Sequence, residues 1–160
     1  VVSTAAQHAK GPLSRVAADA VAKAFAAKAV GPLMLAKHLA PRMRDGGSFT
    51  FLAGVAGRRF YRGYAVMAAT NAATIGVAQA LAVELAPLRA NAISPGITDS
   101  GVDHGTDERG REALFAGAAK RYPAGRVGQP EDVVEAVLFA MTHPFVTGTV
   151  IDVDGGGRLV

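Results

Sequence analysis

The stretch from Met67 to Pro87, MAATNAATIGVAQALAVELAP, limits the possible folds more than any other. Ile75, Val77, Ala78, Leu81, Ala82 and Leu85 recur at helical spacing, and Glu84 is the one charge inside. A helix built so largely from Ala, Thr and Gly, with so little charge, is expected to be covered on most sides. Pro87 stops it, because proline has no N–H for the helical ladder. Leu88 to Gly96, LRANAISPG, follows as a short strand closing in a Pro-Gly turn.

The rest of the chain repeats this alternation. VVSTAA reads as a strand, and a long helix is predicted from about Ser14 to Met43 with a kink at Gly31-Pro32. The turn Asp45 to Gly47 leads into the strand SFTFLAG, followed by a loop, GVAGRRFYRGY. After the central helix and strand, Gly101 to Arg111 is a polar loop without a pattern, and Glu112 to Lys120 reads as a short helix. Glu131 to Met141 is a further helix, with Glu131 and Asp132 favourably placed in its first turn. TGTVIDVDGGG is the last strand. Strands alternating with helices imply an α/β fold, with right-handed βαβ units and a parallel sheet.

At 160 residues the chain is one domain at most. It opens on Val1, inside a strand, so an N-terminal portion is expected to be missing. Cysteine is absent, which excludes a disulfide framework and fits a reducing cytoplasm. The net charge of +4 is mild and spread out, which argues against a nucleic-acid partner. The sequence shows no signal-peptide pattern and no run read as long enough to span a membrane.

Several segments together resemble the short-chain dehydrogenases/reductases. SFTFLAGVAG is similar to the family strand that ends at its serine. NAISPGITDS is similar to the Pro-Gly-x-x-x-Thr motif, with Ser100 at the threonine, and GRVGQPEDVVEAVLF with VTGTVIDVDGG resembles the C-terminal helix and strand. VVSTAA is similar to the fourth strand and its Asn-Asn-Ala-Gly segment, here Ser3-Thr4-Ala5-Ala6. The resemblance implies a Rossmann-type doubly wound sheet, NAD or NADP as cofactor, and interconversion of a small carbonyl and alcohol. The family's first half, with the glycine-rich turn that seats the pyrophosphate, is not in this sequence. The 160 residues alone are therefore expected to bind a dinucleotide poorly.

The resemblance also implies where reactive groups belong. Asn71 stands at the family's lysine, Met67 at its tyrosine four residues earlier, Gly54 at its serine and Lys28 at its asparagine. A thioether has no proton to transfer, so the usual relay, in which the lysine lowers the tyrosine pKa, is absent. Two readings stay open. In the first, the fold is kept and the chemistry lost, leaving a dinucleotide-binding or protein-interaction module; it is preferred because a rescued site needs several coincident placements. In the second, Lys28 and Asn71 have exchanged roles, and a hydroxyl comes from Tyr64, with Tyr61 and Thr70 as weaker substitutes. A phenol with pKa near ~10 needs an adjacent cation to act near neutrality.

On the cofactor side the resemblance assigns Thr4, Ala5, Ala6, Leu52, Asn71, Pro95, Gly96, Ile97 and Ser100. Glycine at 96 permits close backbone approach to a nicotinamide, Ile97 covers the ring, and the Ser100 hydroxyl bonds the amide or pyrophosphate. Arg58, Arg59 and Arg62, with Phe60 and Tyr61, form the one basic-aromatic cluster, read as a solvated loop. His8, His38, His104 and His143 share no metal spacing; His8 and His104 fall in loops that border the substrate cleft in the resembled family. Ala72, Ala73, Gly76 and Ala80 permit close helix approach, consistent with the homo-oligomers, dimers or tetramers, that the resemblance implies.

Overall fold

The computed structural model describes residues 1–101 and 107–160; His104 and the middle of the polar loop lie outside them. Four parallel strands, β1 (Val2–Ser3), β2 (Ser48–Leu52), β3 (Arg89–Pro95) and β4 (Val150–Val153), form one sheet in the order β1-β2-β3-β4. The registers pair Val2 with Thr50, Thr50 with Asn91, and Ala92 with Val150. The parallel α/β architecture is therefore the expected one. The first strand is shorter than VVSTAA, and Thr4, Ala5 and Ala6 leave the sheet exposed.

Side chains alternate across the sheet, and this assigns the layers. Phe49, Phe51, Ala90 and Ala92 form the main core with Ala36 of α2 (Gly31–Leu39) and with Ala78 and Leu81 of α3 (Ala65–Glu84). On the other face, Ser48 and Arg89 reach carbonyls at the end of α5 (Pro130–Thr142). The β2–α3–β3 and β3–α5–β4 connections step the same way across the sheet but cross opposite faces. They cannot share a hand, so the expectation of uniformly right-handed units fails. The long connection before α5, which contains α4 (Glu108–Arg121), lets the chain change face.

The expected helix from Ser14 to Met43 is α1 (Ala18–Phe25), a π turn (Ala26–Val30) and α2, followed by a 3₁₀ turn (Ala40–Arg42). Its irregularity lies one turn before the predicted Gly31-Pro32 kink. Pro32 has no N–H to give the Lys28 carbonyl four residues back, and the Thr74 hydroxyl donates to that carbonyl instead, at 2.8 Å. In α4, the Asp107 carboxylate accepts from the Gly110 N–H at 2.8 Å, which starts the helix earlier than the apolar pattern suggested.

Helix α3 buries one stripe, Val66, Thr70, Asn71, Thr74, Ala78 and Leu81, rather than most of its surface. Ala69, Ala72, Gly76, Ala80 and Val83 remain exposed. Contrary to the sequence expectation, its length and composition alone are sufficient to cross a membrane. Its buried stripe is half polar, and it packs against β2, β3 and the π turn, as a layer helix of an α/β fold does.

Candidate functional site at the carboxyl ends of the strands

Every residue assigned to the cofactor side lies at or just beyond the carboxyl end of a strand, except Asn71 on α3. Thr4, Ala5 and Ala6 follow β1, Leu52 ends β2, and Pro95 ends β3. Gly96 and Ile97 are half-buried beyond it, and Ser100 is exposed. In open parallel sheets this edge is where ligands bind, because the strands end there and the connecting loops diverge.

Lys28 is the unusual group at this edge. It sits in the π turn and is 8% exposed. Its Nζ donates to the Leu52 carbonyl at 2.7 Å and to the Ala53 carbonyl at 3.2 Å. Among the described residues no carboxylate pairs with it. Burial without a counter-charge disfavours the ammonium and lowers the Lys28 pKa to about 8.

Asn71, 4% exposed, faces the loop that leaves β2, and its Oδ1 has no hydrogen-bond partner. A Cβ placed on Gly54 would lie 3.2 Å from Asn71 Nδ2, and one on Gly57 would lie 2.9 Å from Asn71 Cβ. Bare glycines in this loop thus make room for the amide. Met67 stands one turn before Asn71 on the same helix, half-buried. The structure therefore brings Lys28, Leu52, Gly54 and Asn71 together at the end of β2.

Tyr64 stands in a different cluster. It precedes α3, its ring meets Tyr61 edge to face at 5.7 Å, and Lys10 Nζ lies 5.7 Å from its centroid. Burial outweighs the neighbouring Arg59 charge at Tyr61 and raises its pKa. Thr70 spends its hydroxyl on the Val66 carbonyl at 2.9 Å.

Gly96 has a packing role besides the one read from sequence: a Cβ there would lie 2.8 Å from Asp154 Cα, so the bare glycine makes room for the chain after β4. Ile97 N–H approaches the hydroxyl of the buried Tyr122 at 3.4 Å. No sequence motif singled out Tyr122; its ring fills the space left by Gly157, where a Cβ would come within 2.6 Å of it.

The arginine loop is also not simply solvated. Arg58 Nε lies 3.4 Å from Asp152, and Arg59 donates to the Gly157 carbonyl while stacking 5.3 Å from the Tyr61 ring centre. Arg158 bridges Asp152 at 3.2 Å and Asp154 at 2.9 Å. A cavity of about 280 Å³ opens beside this network, lined in part by Arg126, Asp132, Asp152 and Arg158. Its charges are already paired, and neither Lys28 nor Asn71 lines it. His8 is exposed in the loop after β1. Among the described residues no cluster of three or more His, Asp or Glu is arranged to hold a metal.

A parallel sheet with its polar groups gathered at the carboxyl edge defines a Rossmann-type protein. The sequence matches the family described as Enoyl-(Acyl carrier protein) reductase over residues 1–157, and the chain belongs to the short-chain dehydrogenases/reductases. It is 36% identical to the short-chain dehydrogenase/reductase ATR9 of Stachybotrys chlorohalonatus, over 99% of this chain and 63% of that protein. It is similar to a small-chain dehydrogenase solved in complex with NADPH, at 38% identity and TM-score 0.94, covering 99% of this chain and 73% of the other. The MalC Reductase/Diels-Alderase of Malbranchea aurantiaca is similar at 28% identity and TM-score 0.89, over 99% of this chain and 62% of that one. The chain spans 63% and 62% of the lengths of two of the curated relatives it matches.

Proposed function

We propose that the chain is part of an NAD(P)-dependent oxidoreductase that interconverts a small carbonyl compound and its alcohol. The carrying observation is the buried Asn71 Oδ1 with no partner, at the edge where the family holds its nicotinamide nucleotide. An orphaned buried acceptor is costly unless a donor arrives, and a ribose hydroxyl is such a donor. The residues present thus fit the cofactor. Asn71, Leu52 and the Pro95–Ile97 turn would hold its nicotinamide half, with Thr4, Ala5 and Ala6 beside β1 and Ser100 towards the amide or pyrophosphate. When bound, the cofactor supplies or accepts hydride. Lys28 and Asn71 are the polar groups available to the reacting oxygen, and Tyr64 is the hydroxyl proposed at the head of α3.

The homology to a protein solved with NADPH supports this reading. The open stripe of α3, with Val83 82% exposed, supports a homo-oligomer built on that helix. The test is nicotinamide-fluorescence titration of the full-length protein with NADH and NADPH, followed by a carbonyl screen. Saturable binding and turnover are expected. Absence of binding to either nucleotide refutes the proposal.

A further inference from the structure

We propose that Lys28 is itself the proton donor to the substrate oxygen, through the one N–H that neither the Leu52 nor the Ala53 carbonyl accepts. This deepens the oxidoreductase reading and rests on it. An ammonium has three N–H bonds. Two point at the carbonyls at 2.7 and 3.2 Å. When the third proton leaves, the amine keeps both hydrogen bonds, so donation demands no rearrangement of the side chain. The backbone is equally fixed, because the Lys28 carbonyl is held by the Thr74 hydroxyl at 2.8 Å.

The surroundings favour the transfer. Leu52, Ala53 and Thr74, the residues that hydrogen-bond Lys28, carry no charge, and burial holds its pKa at about 8. A general acid works best when its pKa lies near the operating pH. The positions that bring a serine and a tyrosine in the family carry Gly54 and Met67, and neither side chain has a proton to give.

The step balances as follows. Hydride supplied by the reduced nicotinamide adds to the carbonyl carbon, and the C=O π pair moves to oxygen. An O–H bond forms there as one Nζ–H bond breaks, leaving that electron pair on nitrogen. Lys28 then regains a proton from water, and alcohol oxidation runs the same path backwards with the amine as base.

The test uses the full-length protein and Lys28→Met, Lys28→Arg and Lys28→Cys variants. Lys28→Met should keep nucleotide binding and lose about 100- to 10,000-fold in kcat, the usual share of general acid–base catalysis. Lys28→Arg should stay inactive, because a guanidinium does not release its proton in this pH range. The 160 residues contain no cysteine of their own. Alkylation of Lys28→Cys with 2-bromoethylamine in the unfolded chain, then refolding, should restore turnover. Its pH limb should move to the acid side, because the sulfur makes the new amine less basic. A merely structural lysine would not move that limb.

A readout independent of turnover is the NMR titration of Lys28 after reductive ¹³C-methylation, which should fall below that of the other lysines. Kcat of Lys28→Met within about threefold of the unsubstituted protein, or a Lys28 titration with the bulk lysines, overturns the proposal. So does nucleotide binding without reduction of any carbonyl, which leaves the cofactor reading standing. Failure to bind nucleotide removes both.

Discussion

Replacing Lys28 by methionine should change how stability depends on pH. Burial moves the Lys28 pKa from 10.5 in the unfolded chain to about 8 in the folded one. One pKa unit is worth about 1.4 kcal/mol, so this interval corresponds to about 3 kcal/mol. Below pH 8 both states are protonated, and the folded state carries the full cost of the buried charge. Between pH 8 and 10.5 the unfolded chain binds a proton that the folded chain does not, so stability rises with pH. Above 10.5 both are neutral and the cost is gone. Lys28→Met carries no such titration. The loss of two carbonyl partners in the variant shifts its stability by an amount that does not depend on pH and drops out of the comparison. Urea unfolding at pH 7, 8, 9 and 10 should therefore show the unsubstituted protein gaining most of about 3 kcal/mol on the variant. A difference constant within about 0.5 kcal/mol over that range would refute the reasoning.

Arg89 donates to the Ala140, Met141 and Val146 carbonyls at 2.7, 2.7 and 3.2 Å. Arg89→Met should cost about 3 kcal/mol or more by stripping charged hydrogen bonds from buried carbonyls, measured by urea unfolding. Gly57→Ala would set a Cβ 3.0 Å from Ala72 N and 2.9 Å from Asn71 Cβ; an overpacking cost of about 1–3 kcal/mol is expected in the same assay. The Asp132 carboxyl is held well below its ordinary pKa, first by Arg126 and then by the Gln129 N–H. Its contribution is present above the ordinary carboxylate pKa and lost as pH falls, so Asp132→Asn should flatten the acid limb of the stability curve.

The sequence made legible what repeats at a fixed period. The existence of α3, the β2 and β3 strands, and α5 with its acidic first turn all follow from local spacing, whereas the half-polar stripe that α3 buries does not. What escaped depends on partners distant in sequence. The π turn at Lys28 follows from Pro32 together with Thr74, which lies on another helix. That Gly96 also makes room for Asp154 cannot be read from the Pro-Gly turn alone. Arg58 and Arg59 read as solvated because Asp152 and Gly157 are almost a hundred residues away. The change of face between α3 and α5 has no local signature, since each helix has a buried side whichever face it covers.

The four altered positions also read differently once they are seen together. Along the sequence, Lys28, Gly54, Met67 and Asn71 are four separate departures from a family pattern, which suggests loss. In the structure Gly54 gives space to the Asn71 amide, and the carbonyls just before Gly54 hold Lys28. Departures that fit one another form a unit, and a unit should show coupling. Asn71→Lys alone would add a second ammonium to an edge that already holds one without a counter-charge. Lys28→Asn alone would strip the Leu52 and Ala53 carbonyls. Made together, the two substitutions leave one ammonium at the same edge, so the double variant should be more stable than the two single losses predict, by about 1–3 kcal/mol. Additivity within about 0.3 kcal/mol in a double-mutant cycle would show instead that the two positions drifted independently.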